Sequence, residues 1–488
     1  MSKEEKVYQT FQIWIKPGHR LFPYFQHSCQ QAKNLYNTTN FFIRQVFTTM
    51  QQKGELQPLQ KEVLDLLHKN IEQINQVQLT AYQKRLAREQ AKPAQEQKAI
   101  KPNLYVLPTK EASMLSYGFL DALFKGIKQE NYRSLPTQSS QQVMKKVFQN
   151  WKSFFALIKA YKKNPALFTG RPRIPKYCRN SQKEVTFTNQ DCVIKEGKYL
   201  KLPLTNHRLN IGKLGATHQK LMEVRVIPAY GRYVVELVCS SETAEARTTA
   251  KHVMGIDLGI NNLATIVTNS GKKPRLIKGN VVKSINQYYN KQKAHYLSIL
   301  RQGKDQKEGP YTSKRLERLH RKRFLKIKDF FHKASCQIVK IALEENVGAI
   351  VIGRNTQWKS SITMGKRNNQ SFCHIPHALL IQMISYKAKR NGINVMAREE
   401  SYTSIASFLD HDDIPTYGER KQAFLFSGVR IKRGLYRSKN GTLLNADVNG
   451  AYNILRKEVP TAFTANGIEG LDSLKAVAVS TPLVLSVR

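Results

Sequence analysis

The chain has 488 residues, too many for one compact core, so about two to four domains are expected. Its 79 Lys and Arg against 35 Asp and Glu give a net charge of +44, which calls for an anionic partner, nucleic acid ahead of a membrane surface. No apolar run approaches the roughly 18 residues that span a bilayer; residues 1–18 lack the apolar segment of a signal peptide; and six cysteines without a CxxC spacing argue against a zinc ribbon or a disulfide framework and suit a reducing cytoplasm.

Residues Tyr8–Lys16 alternate and include β-branched and aromatic side chains, which predicts a first strand. From about Leu21 to Lys163 the apolar spacing is helical, clearest in 27–47, 61–74 and 141–163. The Gln- and Lys-rich stretch 83–101 reads as a solvated linker or insertion. Leu135-Pro-Thr-Gln-Ser-Ser140 reads as a helix start in which Thr or Ser caps the free amides. A basic, Pro-containing turn, Gly170–Tyr177, closes the helical region. Residues 184–240 read as strands, with a hairpin around Ala229–Arg232, and the first strand would join them in a small β-barrel interrupted by the helices.

Two strands within 253–268 and a third at 275–278 come next. A long basic helix, 313–346, follows, whose stripe of Leu316, Leu319, Phe324, Ile327, Phe331 and Ile338 should pack on a sheet. His332 and Lys333 on this helix read as structural. A buried-type strand Ala349–Ile352, a loop with Trp358 and the basic segment GKRNNQ, a helix 376–391 and a strand Ile393–Ala397 complete the series. Strand, strand, strand, helix, strand, helix, strand is the order of an RNase H-like α/β core.

Asp257 stands in the otherwise apolar stretch Val253–Thr268, before a turn with Gly259, Asn261 and Asn262. A charge inside such a strand is costly unless paired or bound to a metal, so Asp257 is a candidate ligand for a divalent cation; an ordinary hairpin with one exposed Asp is the plain alternative. Asp447 opens a short helix in Asn445-Ala-Asp-Val-Asn-Gly-Ala-Tyr-Asn-Ile-Leu455, with Asn449 and Asn453 on one face. It is a second candidate, the alternative being a simple helix-cap residue. Phosphodiester hydrolysis of the two-metal kind needs carboxylates converging on cations roughly 3.5–4 Å apart, and adjacent strand ends in an α/β sheet can bring distant residues together.

The stretches GIDLGINNLAT, IVIGRNTQWK, GKRNNQSFCHIPHALLIQMISYKAKRNGI, EESYTS and RIKRGLYRSKNGTLLNADVNGAYNILRK, with LPTQSSQQVMKKVFQNWKSFF and GRPRIPKY upstream, resemble the transposon-encoded TnpB family, which shares ancestry with the type V CRISPR effectors. The likeness runs from about residue 110 to 457. It implies a multidomain α+β chain: a wedge-like β-barrel (1–20 and 175–248), a helical recognition lobe (21–174), an RNase H-like (RuvC) α/β nuclease domain (249–402 and 441–488) and a target-nucleic-acid-binding insert (403–440).

Two departures from the family pattern stand out. The middle catalytic Glu normally closes the strand read as Ala349–Ile352, yet position 353 is Gly, followed by Arg354 and Asn355. Glu400, at the end of the next strand, is the candidate replacement, with Gly353 leaving room for it. It is preferred to Glu399 because side chains alternate along a strand and only one faces the site; two solvated carboxylates and a dead enzyme are the alternative. The second departure is the insert, where family members often carry a four-cysteine zinc ribbon and this chain has no cysteine. Phe408, Leu409, Phe424, Phe426 and Leu435 would hold it together, and Asp410, His411, Asp412 and Asp413 read as a solvated acidic loop rather than a metal site.

The basic residues Arg430, Lys432, Arg433 and Arg437 in the insert could grip the strand being cut. On the long helix, Arg321, Lys322, Arg323 and Lys326 could contact the phosphates of a guide–target heteroduplex without reading sequence. The resemblance thus implies a metal-dependent, RNA-guided DNA endonuclease in which Asp257, Glu400 and Asp447 hold two Mg²⁺ ions, Mn²⁺ being able to replace them and zinc not expected. Its partners would be a guide RNA transcribed near its own gene and double-stranded target DNA with an adjacent motif, in the cytoplasm at the nucleoid, with no membrane. A nuclease-dead RNA-guided DNA-binding repressor, a compact type V CRISPR effector and a transposase acting directly on element ends are the alternatives.

Overall fold

The computed structural model describes residues 7–212, 220–241, 250–305, 308–354, 370, 373–416, 425–432, 434–463 and 482–487. The chain is a mixed α/β protein of two compact units, one of Tyr8–Ser241 and one of Met1–Val7 with Glu242–Arg488.

In the first unit β1 (Val7–Ile15) leads into α1 (Phe22–Gln51), α2 (Pro58–Gln90), α3 (Tyr117–Gly126), α4 (Glu130–Arg133) and α5 (Thr137–Lys163). Then come β2 (Val185–Thr188), β3 (Val193–Lys195), β4 (Tyr199–Lys201), β5 (Arg208–Asn210), β6 (Lys220–Ala229) and β7 (Arg232–Ser241). The strands make two sheets, β1-β7-β6-β2 and β3-β4-β5. The expected barrel is thus not a single hydrogen-bonded ring among the described residues. The parts are united by packing: Phe25, Leu35 and Ile43 of α1, Trp151 of α5, Phe187 of β2, Val224 of β6 and Leu200 and Leu209 of the small sheet belong to one buried cluster. Within it Trp151 Nε1 donates to Asn40 Oδ1 at 2.9 Å, which satisfies two buried polar groups at once.

Two local readings are corrected here. Residues 83–90 continue α2 rather than starting a linker, because Gln, Lys, Arg and Ala are strong helix formers even without an apolar face. The start of α5 has Pro136 at the capping position and no side-chain cap. Ser139 and Ser140 are buried inside the helix, where Ser140 Oγ donates to the Tyr132 carbonyl at 2.7 Å.

The second unit contains β8 (His252–Asp257), β9 (Asn262–Thr268), β10 (Arg275–Lys278), α6 (Asn280–Arg301), α7 (Lys314–Glu344), β11 (Val347–Gly353), α8 (His377–Lys389), β12 (Asn394–Arg398), β13 (Val429–Lys432), β14 (Leu435–Arg437), β15 (Leu443–Asn445), α9 (Ala446–Glu458) and β16 (Leu483–Leu485). The main sheet has the order β12-β11-β8-β9-β10-β16. β9 runs antiparallel to both its neighbours, β8 and β10, whereas β11 and β12 run parallel to β8. The expected strands and the helix near 376–391 are all found. The sequence reading missed α6, whose burial rests mainly on Val282, Asn286 and Tyr289, too thin an apolar stripe to stand out beside its polar residues. Trp358 and residues 365–369 of GKRNNQ lie outside the described residues.

Both faces of this sheet are covered, and alternation assigns each residue to one of them. Met254, Ile256, Ile350 and Ile352 pack with α7 and α8, where Ile327, Phe331, Ile338, Leu380 and Ile384 complete a core. Val267 and Val351 pack on the opposite face with Val448, Ala451, Ile454 and Leu455 of α9. Of the stripe expected on α7, all but the half-buried Phe324 is buried. α9 comes very close to the sheet: a Cβ on Gly255 would sit 2.7 Å from the Ala451 carbonyl oxygen. Among the described residues no helix is long and apolar enough to cross a membrane, and all six cysteines are free.

Candidate functional site

β8, β11 and β12 are parallel and end together, with Ile352 opposite Ile256 and Gly353 opposite Arg398. The carboxyl end of such strands is where α/β sheets present their reactive groups. Continuing the alternation, Val253, Gly255 and Asp257 face α9, as do Val351 and Gly353. Asp257 closes β8, and its Oδ2 lies 3.2 Å from where a Cβ on Gly450 of α9 would be. Asp447 sits in the first turn of the same helix, whose cap is Asn445: the Asn445 side chain accepts from the Asp447 and Val448 amides at 3.0 and 3.2 Å. The Asp447 carboxylate is therefore not needed as the cap.

Glu399 and Glu400 follow β12 rather than belonging to it, so the choice between them rests on contacts and not on strand alternation alone. Glu399 accepts from Lys457 Nζ at 2.6 Å and from the Ser401 amide at 2.9 Å. Lys457, its side chain only 4% exposed, also donates to the Ser401 and Pro415 carbonyls. Glu400 turns the other way: its Oε2 lies 2.7 Å from where a Cβ on Gly353 would stand, with Ile454 Cδ1 at 2.6 Å. Any side chain at 353 would take the space that Glu400 fills.

The electrostatics tie the three carboxylates together. Burial, and then the negative charge of Asp447, push the Asp257 carboxyl up to about 7, against the pull of Arg430 and the Leu258 amide. Burial, then the charges of Asp257 and Glu399, push Glu400 up to about 8. Glu399 goes the opposite way: burial raises it, but Lys457 and Ser401 outweigh that and hold it below the ordinary carboxylate range. Asp447 is oriented by neutral and cationic donors. Asn262 Nδ2 donates to its Oδ2 at 2.7 Å, Lys278 Nζ donates to Asn262 Oδ1 at 3.0 Å, and an Arg430 guanidinium nitrogen is 3.8 Å from its Oδ1. Among the described residues no three His, Cys, Asp or Glu side chains close into a formed metal-binding group.

α9 also fixes the segment that follows Glu400. Asn449 and Asn453, both fully buried, face that segment. Asn449 accepts from the Phe408 amide at 2.9 Å and donates to the Ala406 carbonyl at 2.8 Å; Asn453 donates to the Thr403 and Ala406 carbonyls at 2.9 and 2.7 Å. One helix thus carries Asp447 at its start, anchors 403–408 through its middle and holds Glu399 through Lys457 near its end. Sequence reading placed the two asparagines on one face but missed this role, and it missed Asn262 and Lys278; a doublet of Asn in a turn that one would satisfy was the available signal.

A family profile described as "Probable transposase" (OrfB_IS605) matches residues 236–359, and one described as "Cas12f1-like, TNB domain" matches residues 377–454. A curated protein, "TnpB-like protein ORF457" of Acidianus two-tailed virus, is 24% identical over 363 residues, 68% of this chain and 75% of its own. Over these stretches the chain resembles the TnpB family. Solved structures similar to this chain include a Cas12f1–sgRNA–target DNA complex, with 12% identity, a TM-score of 0.42, and 92% of this chain and 98% of that one covered. The mini-RNA-guided endonuclease Cas_phi3 gives 10% identity, a TM-score of 0.33, and 70% and 85%.

The TNB match includes β13, β14 and β15, which form a three-stranded antiparallel sheet. Tyr436, fully buried, and Phe408 are its main apolar anchors, and Tyr436 Oη donates to the Ile405 carbonyl at 2.7 Å. Tyr436 was missed in the sequence; Leu409, Phe426 and Leu435 are half-buried, and Phe424 lies outside the described residues. The acidic loop is structural. Asp412 accepts from the Ser407 and Ser427 amides at 2.7 and 3.0 Å, and Asp410 accepts from the Lys439 amide at 2.8 Å. Of the expected basic contacts, Lys432 and Arg437 are exposed, Arg430 reaches Asp447, and Arg433 lies outside the described residues. On α7, Lys322 and Lys326 are exposed and Arg321 is half-buried. Arg323 is committed to protein: its Nε donates to Asn286 Oδ1 at 2.7 Å and a terminal nitrogen donates to the His374 carbonyl at 2.8 Å. Lys333 pairs with Asp329, and the His332 carbonyl accepts from Lys387.

Proposed function

We propose that this chain is an RNA-guided DNA endonuclease whose second unit is an RNase H-like (RuvC) nuclease domain with Asp257, Glu400 and Asp447 as its carboxylates. The strand order and directions of the main sheet support the domain reading. The observation that carries the site is that Asp257, Glu400 and Asp447, far apart in sequence, share one end of the sheet, where the charge of Asp447 makes Asp257 harder to ionise and that of Asp257 does the same to Glu400. A cluster of carboxylates with one nearby guanidinium suits a cation. The donors are all oxygen, without thiol or imidazole, which fits Mg²⁺ or Mn²⁺ rather than zinc. Such ions, when bound, supply Lewis-acid stabilisation of the attacking and leaving oxygens of a phosphodiester.

The chain's own residues set the conditions for this chemistry. Burial at the strand ends keeps Asp257 and Glu400 poorly hydrated, which strengthens their hold on a cation. Asn262, backed by Lys278, and Arg430 fix the rotamer of Asp447. Gly353 admits Glu400, and Lys457 keeps Glu399 away, so that a single carboxylate from this pair enters the site. Guidance by RNA, and double-stranded DNA with an adjacent motif as target, are what the resemblance to the TnpB family supports. The barrel, recognition lobe and insert boundaries given by the sequence are part of the same proposal.

The test is to sequence the RNA that co-purifies with the protein, then offer a plasmid matching its guide portion. Cutting that requires Mg²⁺, stops with EDTA and is lost in Asp257→Ala is the expected result. Guide-dependent binding without cutting would favour the repressor reading, which rests on Gly353 standing where the family has Glu.

A further inference from the structure

α6 and α7 pack side by side, and a cavity of about 280 Å³ opens between them. Half-buried Ile285 and buried Leu319 give it apolar surface, Tyr288 lines it while 57% exposed, and Lys322 and Lys326 line it from α7. The two lysines differ from their neighbour Arg323. Its guanidinium lies 4.7 Å from the Tyr289 ring centre and is hydrogen-bonded to Asn286 and His374, so it clamps the two helices and shapes the cavity. Among the described residues the ion pairs of α7, Lys333 with Asp329 and Lys340 with Glu344, leave Lys322 and Lys326 out. An exposed aromatic ring in a small cavity flanked by two cations that have no acidic partner among the described residues is the arrangement that stacks a base and holds its phosphates. A cavity at the small end of ligand sites, roughly 300 Å³, holds one ring system rather than a protein segment.

The helix that carries Tyr288 starts beside the turn that follows Asp257. α6 starts where the Gly279 amide donates to the Asn261 carbonyl at 2.8 Å, and Lys283 donates to the Asn261 side chain at 2.6 Å. The first turn of α6 is thereby fixed to the β8–β9 turn that follows Asp257. Tyr288 lies about 12 Å further along the helix at 1.5 Å per residue. We propose that this groove binds an unpaired stretch of DNA, one base stacking on Tyr288 and the flanking phosphates held by Lys322 and Lys326. The choice of DNA over RNA rests on the reading of this unit as a DNA-cutting domain.

The experiment is ultraviolet crosslinking of the full chain, in EDTA so that nothing is cut, to single-stranded DNA carrying 5-iodouracil, followed by peptide mass mapping. An adduct should form on the peptide containing Tyr288. Its yield at limiting DNA should fall roughly 5- to 150-fold in Tyr288→Ala, the range for loss of one stacked base, and persist in Tyr288→Trp. It should fall in the double variant Lys322→Gln, Lys326→Gln, and unlabelled single-stranded DNA should compete where duplex of the same sequence does not. No adduct on this peptide, equal competition by duplex, or an adduct with RNA alone would overturn the inference. Since the readout is binding, a failure of Asp257→Ala to stop cutting would strike the nuclease reading and leave this adduct unchanged.

Discussion

Gly353 shows how an absent side chain can define a site. With Glu400 Oε2 and Ile454 Cδ1 both inside the space of a Cβ there, Gly353→Ala must move one or the other. Overpacking of this kind costs about 1–3 kcal/mol, and a shift of the carboxylate by ~1 Å should lower cleavage by roughly 10²-fold; initial rates on a matched target measure it. Asp257 and Glu400 also predict a pH effect on stability. Both titrate higher in the folded chain, at about 7 and about 8, than the roughly 4 expected of unfolded carboxyls. Between those values the folded chain holds protons that the unfolded chain has released, so stability falls as pH rises through that window. In EDTA, Glu400→Gln should melt above the parent at pH 8, by roughly 2–4 °C for each kcal/mol recovered, and level with it at pH 4. A parent melting temperature indifferent to pH from 5 to 8 would contradict this. Asp257 and Asp447 were legible in the sequence because each stands out locally, one in an apolar strand, the other opening a helix. Asn262 was not, because its partner Asp447 is 185 residues away, and charge alone could not show that Arg323 is spent on Asn286 and His374.

At the scale of elements, α9 organises the site, with Asn453 as its central pin. Asn453→Ala leaves the Thr403 and Ala406 carbonyls without that donor, at about 1–3 kcal/mol for a buried group left unsatisfied. The expected outcome is a lower urea midpoint together with faster amide exchange across 403–408, read by hydrogen-exchange mass spectrometry; a loss of stability with exchange there unchanged would count against the pin. The sheet strands and α7 were readable because their apolar periods are strong. α6 was not, since only a thin stripe of it is buried, and the end of α2 was misread because polar helix formers look like linker when no face is apolar. The insert's hold on itself was hidden for another reason. Tyr436 sits in a basic run, and the acidic loop works through backbone amides that a sequence does not display.

At the scale of the whole molecule, the charge of +44 pointed to a polyanionic partner but not to where it is held. Several cations prove to be internal: Arg323 clamps helices, Arg275 pairs with the buried Glu345, and Lys457 is buried against Glu399. Lys322, Lys326, Lys432 and Arg437 remain on the surface as candidates for phosphate contact. The motifs pointed to the TnpB family from sequence alone and alternation already favoured Glu400 over Glu399, while the contacts behind that partition, Lys457 on Glu399 and Gly353 beside Glu400, needed the three-dimensional structure. That partition is the central claim, and cleavage of a guide-matched plasmid in Mg²⁺ by Glu400→Ala and Glu399→Ala, each loaded with the same RNA, tests it most directly. The account predicts that Glu400→Ala still binds the target but no longer cuts it, while Glu399→Ala keeps cutting. Full activity in Glu400→Ala, or loss of cutting confined to Glu399→Ala, would contradict it.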